Sequence, residues 1–348
     1  MTTPSSIFEP RLKRVAVLIF NLGGPAKQAD VRGFLYNLFS DPYIIGLPWG
    51  MRHGLAALIA NGRARSARAN YAKMGGGSPI LMETKAQAKA LENQLGQLSQ
   101  IEARVFIGMR YWHPFMAETV TEIEAWGPDE IVVLPLYPQF SSTTTLSGFD
   151  AFKEAYSGSA KVHYICCYAQ NDNFIRAQVQ LIRNRLDKLP ADNRRILFSA
   201  HGLPEKIIRQ GDPYQEQVER CVAKIMAELG EIDHIVCYQS RVGPLTWIGP
   251  STEDAIRQAG ADGRNILVVP IAFVSEHVET LVELDGDYGD LASKLGITHF
   301  ERVPTLRNNL TFIQGLVVEI DKALKTSGTV TGDNDCAVCH KFCPKQRA

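Results

Sequence analysis

The feature that most constrains the fold of this chain is the alternation of short β-branched runs with segments of helical periodicity. Most of the runs are almost continuously apolar, which is typical of parallel strands that helices cover on both faces. Strands that alternate with helices predict βαβ units with right-handed crossovers, and therefore an α/β fold. The predicted strands span residues 15–20, 105–109, 131–134, 162–166, 196–199, 234–238, 266–270 and 299–303.

The length of the chain and the spacing of its strands predict two similar domains. A length of 348 residues suits two domains of about 150 residues each. A helical stretch at 173–189 separates the first four predicted strands from the last four. We therefore expect two doubly wound halves, each with a four-stranded parallel sheet flanked by helices. The expected divisions are a flexible tail at 1–13, halves at 14–172 and 173–324, and a polar linker with a cysteine-rich tail at 325–348.

Composition excludes several classes of protein. Lys and Arg number 37 and Asp and Glu number 37, so there is no net charge to attract nucleic acid. No apolar run approaches the roughly 18–20 residues that span a bilayer. The first residues, MTTPSSIFEPRLKR, lack the apolar region of a secretory signal. We expect a cytoplasmic protein whose seven cysteines are buried, catalytic or metal-bound rather than paired in disulfides.

His201 follows the fifth predicted strand directly and precedes Gly202. Ligands of open parallel sheets bind beyond the carboxyl ends of the strands, so His201 is predicted at the site edge. An imidazole there can act as a general base or as a metal ligand near neutral pH. The alternative is a histidine that only forms structural hydrogen bonds.

Glu276, Glu279 and Glu283 lie three and four residues apart in the segment that follows the seventh predicted strand. On a helix, positions i, i+3 and i+7 share a face, so the three carboxylates would align. Carboxylates beside an imidazole suit the binding of a divalent transition metal or the relay of protons. The alternative is an acidic helix face in solvent.

Residues 34–51, FLYNLFSDPYIIGLPWGM, are more apolar and aromatic than one buried helix face requires. One interpretation is a buried helix followed by a buried loop. The other is an exposed lip that holds a large flat apolar ligand or touches a membrane surface.

Three cysteines, Cys336, Cys339 and Cys343, lie close together near the end of the sequence, and Pro344 follows the last one. This spacing favours an iron–sulfur cluster. A zinc site with His340 as its fourth ligand is the rival interpretation, and covalent haem attachment at CxxCH is disfavoured without an export signal. A cluster needs a fourth thiol, and Cys166 or Cys167 could supply it. Adjacent residues at a strand end point to opposite faces, so at most one of that pair is expected to reach the cluster.

Seven motifs in order resemble the ferrochelatase family: LGGP, GGGSPI, IGMRYWHP, LYPQFSSTTT, LFSAHGLPEKIIRQGDPY, QSRVGPLTWIGP and VPIAFVSEHVETLVELD. The resemblance runs from about residue 15 to about residue 323. It implies two similar Rossmann-like halves with the active site in the cleft between them. It also implies that the protein inserts ferrous iron into protoporphyrin IX, forming protohaem and releasing two protons as the final step of haem biosynthesis.

The family resemblance also assigns expected roles to individual residues. His201 and Glu279 match the metal ligands or proton acceptors at the porphyrin centre, while Glu276 and Glu283 match an acidic path from the cleft. Segment 34–51 matches the lip over the macrocycle. The expected lining of the porphyrin pocket is aromatic: Tyr111, His113, Tyr137 and Trp247.

The cysteine tail resembles the [2Fe–2S] tail of a subset of the family. In animal members the fourth thiol follows the YPQ segment, where this chain has Ser141 and Ser142. The resemblance therefore leaves Cys167, or Cys166 as the alternative, to complete the cluster. Expected partners are protoporphyrin IX, ferrous iron, the cytoplasmic face of a membrane and a second copy of the chain. Competing functions are a different tetrapyrrole chelatase, and a haem-binding or iron–sulfur redox-sensing protein without chelatase activity.

Overall fold

Two parallel sheets flanked by helices form the core of the protein. The computed structural model describes residues 11–240 and 245–333. The strands are β1 Lys13–Asn21, β2 Ile101–Met109, β3 Glu130–Pro135, β4 Lys161–Ile165, β5 Arg194–His201, β6 His234–Gln239, β7 Asn265–Pro270, β8 Phe300–Arg302 and β9 Val330–Thr331. All eight predicted strands are confirmed.

The helices cover both faces of each sheet. They are α1 Val31–Phe39, α2 Trp49–Ala72, α3 Ile80–Leu95, α4 Met116–Trp126, α5 Ser147–Ala155, α6 Asp172–Leu186, α7 Glu205–Arg209, α8 Tyr214–Leu229, α9 Thr252–Ala261, α10 Tyr288–Lys294 and α11 Leu310–Lys325. Two π-helices, Ser142–Leu146 and Glu279–Asp287, follow strands of the first and second sheet. None of the helices described here is long and apolar enough to cross a membrane.

The first sheet has the strand order β2-β1-β3-β4-β9 and the second has the order β6-β5-β7-β8. All pairs are parallel. The doubly wound α/β architecture with two sheets is therefore confirmed. Because the strands are parallel, their carboxyl ends meet at one edge of each sheet, where the polar motifs follow them.

The first sheet has a fifth strand that the sequence did not predict. Residues 325–333 were expected to be a linker, but Val330 pairs with Tyr164 of β4, and the Cys166 N–H donates to the Thr331 carbonyl at 2.8 Å. Two residues are too short to give a period-2 signal, and the open edge of β4 supplies the backbone partners. The N-terminal boundary also shifts, because β1 already begins at Lys13 within the predicted tail.

Helix α11 was assigned to the second half, but it also packs on the first. It contacts α3, β3 and β4 as well as α6. Its buried residues Leu316 and Ile320 share one apolar cluster with Val17 of β1 and Leu267 of β7. The two halves are thus joined by a common core.

Candidate active site

Four polar residues meet where strands of the second sheet end. β5 ends at His201, β6 ends at Gln239 with Ser240 directly after it, and Glu279 opens the π-helix that follows β7. His201 and Gln239 are paired in the register of β5 and β6. The side chains therefore converge at the sheet edge that the sequence indicated.

The Glu279 carboxylate is the centre of this group. Its Oε2 atom accepts hydrogen bonds from His201 Nδ1 at 2.8 Å, Gln239 Nε2 at 3.1 Å and Ser240 Oγ at 3.2 Å. The His201 side chain is 39% exposed and the Glu279 side chain 18%, so solvent or a ligand reaches the pair from one side. The arrangement is a histidine–carboxylate pair at the mouth of the second sheet.

Each of the two groups favours the charged form of the other. Burial disfavours the imidazolium of His201, but the adjacent Glu279 carboxylate raises the pKa of His201 above its usual value. Burial likewise opposes the charge on Glu279, yet His201 lowers the pKa of Glu279 to about 2. The contribution of Glu279 to stability is therefore present above its ordinary pKa of 4.5 and is lost as the pH falls through about 2. That of His201 is complete below pH 6.5 and is lost as the pH rises through its raised folded-state pKa.

Glu283 lies beside the pair, one turn further along the π-helix. Its Oε2 accepts from Ser240 Oγ at 2.6 Å, and its Oε1 accepts from the Ser240 N–H at 2.9 Å and from Tyr288 Oη at 2.8 Å. Ser240 has a φ of +63°, which residues with side chains rarely adopt. Its single hydroxyl hydrogen is shared between the two carboxylates, and its N–H donates to Glu283 alone. Burial and the nearby charge of Glu279 raise the pKa of Glu283. Glu283 therefore takes up a proton more readily than Glu279.

Glu276 is not part of this group. The helix begins only at Glu279, so the predicted alignment of three carboxylates is wrong and holds for two. Glu276 instead accepts from Arg302 Nη1 at 3.2 Å and from the Thr305 N–H at 3.0 Å. Although burial opposes it, the charge on Arg302 lowers the pKa of Glu276. Its predicted part in an acidic path stays a prediction.

His277 is a titratable neighbour that the sequence analysis did not select. It is buried, and its Nε2 lies 3.8 Å from Glu279 Oε1. Its Nδ1 faces the Ser275 carbonyl oxygen at 3.0 Å, and a carbonyl only accepts, so Nδ1 carries the hydrogen. Burial lowers the pKa of His277, so Nε2 offers a lone pair towards Glu279. The sequence feature that could have identified His277 was its position two residues before Glu279.

The predicted aromatic lining is divided between the interior and the surface. Tyr111 is buried, and Tyr137 is half-buried with its ring edge-on to Phe20. Trp247 is half-buried and forms a β-bridge with Pro204. The His113 side chain is 58% exposed and pairs with Glu118 at 2.9 Å, so its part in a pocket stays a prediction.

Asp41, within the predicted lip, anchors that segment to the first sheet. It is 3% exposed, and its Oδ2 accepts from Tyr111 Oη at 2.6 Å and Ser147 Oγ at 2.6 Å and lies 3.0 Å from Arg110 Nη2. Arg110 follows β2 directly and is a second residue that the sequence analysis did not select. The sequence feature that could have identified this anchor was a charged residue, Asp41, followed by Pro42 in an otherwise apolar segment.

The predicted lip, segment 34–51, has a buried part and an exposed part, and its contact with a ligand or a membrane stays a prediction. Phe34 and Leu35 are buried in a cluster that includes Tyr71 and packs against Val278, the residue before Glu279. Trp49 and Met51 are 72% and 64% exposed. The buried part therefore supports the segment that carries Glu279, and the exposed part starts helix α2.

Cys166 and Cys167 lie together after β4, which ends at Ile165. Their sulfur atoms are 3.4 Å apart, and a Cβ built on Gly332 would lie 2.4 Å and 3.0 Å from them. The expectation that the pair points to opposite faces is wrong, because the strand and its alternation end one residue earlier. Cys336, Cys339 and Cys343 lie outside the described residues. Across 11–240 and 245–333, no three His, Cys, Asp or Glu side chains are grouped to hold a metal ion.

Comparison with known proteins identifies the family. The profile of the family described as Ferrochelatase matches residues 14–324. The chain belongs to the ferrochelatase family. Curated ferrochelatases from Caulobacter vibrioides and Phenylobacterium zucineum are 52% and 50% identical to it, covering 92% and 95% of this chain and 93% and 97% of theirs. A curated ferrochelatase from Rickettsia felis is 45% identical over 92% of this chain and 95% of its own length.

Solved structures support the fold at much lower identity. SirB from Bacillus subtilis with Fe3+ matches with a TM-score of 0.55 and 11% identity, covering 91% of this chain and 97% of that one. The sirohydrochlorin chelatase SirB from Bacillus subtilis subspecies spizizenii in complex with cobalt matches with a TM-score of 0.52 and 9% identity, covering 90% and 95%. At identities this low, the likeness shows only that this chain shares its fold with these two structures.

The pairing of His201 with Glu279 predicts a specific titration. Replacing Glu279 by Gln removes the negative charge that raises the pKa of His201, so that pKa should fall. Replacing Glu283 by Gln should lower it less, because Glu283 is the smaller contributor. NMR titration of the His201 ring in the three proteins measures the order. A His201 pKa that is unchanged in Glu279→Gln would contradict the pairing.

Proposed function

We propose that this protein inserts ferrous iron into protoporphyrin IX to form protohaem, with release of two protons. The observation that carries the proposal is the His201–Glu279 pair at 2.8 Å, open on one side at the carboxyl edge of the second sheet. The relatives named ferrochelatase over almost the whole chain support the same reaction. The reaction involves no redox change: two pyrrole N–H bonds break and iron forms bonds to the ring nitrogens.

The charge state of the pair suggests how metal entry and proton release are linked. In the free protein Glu279 favours the protonated form of His201, because it raises the pKa of His201. A divalent cation that approaches Glu279 neutralises the charge that holds that proton. His201 then loses the proton and becomes a base for a pyrrole N–H. Contacts with the aromatic residues that are expected to line the pocket would supply binding energy. That energy would bend the porphyrin ring and turn a nitrogen lone pair towards the metal.

Glu283 offers a route for protons out of the site. Its raised pKa favours proton uptake, and Ser240 Oγ lies within hydrogen-bond distance of both Glu279 and Glu283. Tyr288 donates to the far side of the same carboxylate. We infer that protons pass from the His201–Glu279 pair by way of Glu283, and that iron and protons exchange at one group of side chains.

The apolar lip supports protoporphyrin IX as the substrate. Trp49 and Met51 of the lip offer an exposed apolar surface. Each further carboxylate on a more polar ring would lose its hydration on binding there. The same argument disfavours a chelatase for heavily carboxylated tetrapyrroles.

Replacing His201 by Ala should reduce zinc insertion into protoporphyrin by about a hundredfold or more, the scale of a lost general base. His299→Ala is the matched control, because His299 is exposed at the start of β8, away from the carboxyl edge. The fluorescence of zinc protoporphyrin measures the rate, and thermal unfolding checks that both variants are folded. His201→Ala turnover equal to that of the control would exclude the assigned role.

The wild-type protein in the same assay separates the remaining functions. We expect a higher kcat/KM for protoporphyrin than for coproporphyrin. The reverse preference would contradict the substrate assignment. Tight haem binding by a wild-type protein that inserts no metal would favour the haem-binding or redox-sensing alternative.

We also propose that a [2Fe–2S] cluster is held by Cys336, Cys339, Cys343 and either Cys167 or Cys166. Strand β9 supports this, because it brings Gly332 against both buried thiols. Cys336 is four residues beyond Gly332 and so can lie at most about 14 Å from it. Four thiolates are the donor set of such a cluster. Ser141 and Ser142 are engaged elsewhere, because both hydroxyls contact Asp212 Oδ2 at 3.0 Å and 2.6 Å. When bound, the cluster would supply a fixed cross-link between the tail and the end of β4.

Replacing any ligand cysteine by Ser should bleach the visible absorption of the purified protein and lower its thermal stability, because metal binding then no longer ties the tail down. Cys221→Ser is the control, since Cys221 is buried on α8 in the main apolar core. Absorption spectra and iron and sulfide analysis provide the measurement. Retained colour in both Cys166→Ser and Cys167→Ser would reject the fourth ligand. Zinc without sulfide would reject the cluster.

We propose a cytoplasmic protein that binds the membrane surface through α2. This helix exposes Trp49, Met51 and Leu58 in its first half, at 72%, 64% and 70%. Its second half exposes Arg65 and Arg68. Exposed apolar side chains can enter the interfacial region of a bilayer, and arginines are attracted to anionic headgroups.

Flotation with vesicles tests this contact. The protein should bind phosphatidylglycerol vesicles better than phosphatidylcholine vesicles, and replacing Arg65 and Arg68 by Gln should remove that preference. Replacing Trp49, Met51 and Leu58 by Ser should weaken binding to both, whereas Leu310→Ser with Val318→Ser on α11 should not. Equal binding to both lipids would contradict the proposal. The expected homodimer stays a prediction, and a monomer mass from light scattering would contradict it.

A further inference from the structure

A buried glutamine on α3 reaches from the first half of the protein into the segment that precedes Glu279. Gln87 is 1% exposed. Its Nε2 donates to the carbonyls of Val274 at 3.0 Å and Arg307 at 3.1 Å, and its Oε1 accepts from Ser275 Oγ at 3.1 Å. Both amide hydrogens are therefore used on partners about 190 to 220 residues away in sequence.

An ion pair one turn earlier on α3 holds the same region. Glu83 is 4% exposed. Arg307 contacts its carboxylate twice, through Nε to Oε2 and through Nη2 to Oε1, both at 2.7 Å. Arg307 has a φ of +50°, which residues with side chains rarely adopt, so its conformation depends on such contacts. The Arg307 N–H also donates to the Val274 carbonyl at 2.8 Å. Gln87 and the Glu83–Arg307 pair are named here the α3 clamp.

The clamped segment leads directly to the active site. The carbonyl of Ser275 accepts from His277 Nδ1 at 3.0 Å, and the His277 N–H donates to Thr280 Oγ1 at 3.0 Å. The π-helix then begins at Glu279. A shift of Val274 and Ser275 would therefore move His277 and the start of the helix, and with them the distance between Glu279 and His201.

We propose that the α3 clamp positions Glu279 against His201 for metal insertion. The inference rests on the proposed function. It adds Gln87 and Glu83 of the first half to the residues that support the site. None of the three clamp residues contacts the His201–Glu279 pair, so they act as positioning residues. A displacement of about 1 Å at a reacting group can lower a rate by about a hundredfold, which makes such positioning consequential.

Gln87→Met tests the clamp, because it keeps the length of the side chain and removes its hydrogen bonds. Thr84→Val is the matched control: Thr84 is fully buried on the same helix, but its hydroxyl donates to the Ile80 carbonyl within α3. We expect kcat for zinc insertion to fall about tenfold or more in Gln87→Met, with KM for protoporphyrin changed less than about twofold. The acid limb of the pH profile should also move to lower pH, because a Glu279 carboxylate that lies further from His201 raises the pKa of that base less.

Hydrogen exchange of residues 274–287 provides a readout that does not need activity. Exchange there should be faster in Gln87→Met and unchanged in Thr84→Val. If Gln87→Met fails to fold, Ser275→Ala removes one clamp bond and should give smaller changes in the same direction. Equal kcat, pH profile and exchange in the clamp variant and the control would overturn the inference. An inactive wild-type protein would refute the proposed function instead, while the exchange experiment would still test the clamp.

Discussion

The carboxylate of Glu279 is the group on which the site depends. One of its oxygens accepts hydrogen bonds from three side chains, which come from the ends of two neighbouring strands. These contacts hold a charge in a partly buried position, where an unpaired carboxylate would be costly. They also favour the protonated form of His201, because Glu279 raises its pKa. In the proposed reaction, an incoming metal and a departing proton act on the same charge.

The fold explains why this group can form from distant parts of the chain. Parallel strands end at one edge, so β5, β6 and the segment after β7 deliver His201, Ser240 and Glu279 to the same place. The first half contributes support from outside, because α1 and α2 pack against Val278 and α3 holds Val274 and Ser275. The segment of the second half that carries Glu279 is therefore held by helices of the first.

Much of this arrangement could be predicted from the sequence because it rests on strong local signals. Continuous apolar runs identified the strands, and the position of His201 at a strand end identified the site edge. The failures have local causes. A two-residue strand such as β9 has no period, and Glu276 was placed on a helix that starts only at Glu279. Cys166 and Cys167 were given strand alternation one residue after the strand had ended. Gln87 could not be found, since its partners lie far away in sequence and are mostly backbone carbonyls.

The most direct test of the central claim is a double-mutant cycle on zinc insertion with His201→Ala, Glu279→Gln and the combined variant. If the two side chains act as one unit for metal entry and proton release, each single variant loses most of the activity. The combined variant should then lose less than about tenfold more than the worse single variant. Losses that multiply, or one single variant with near wild-type kcat, would contradict the account.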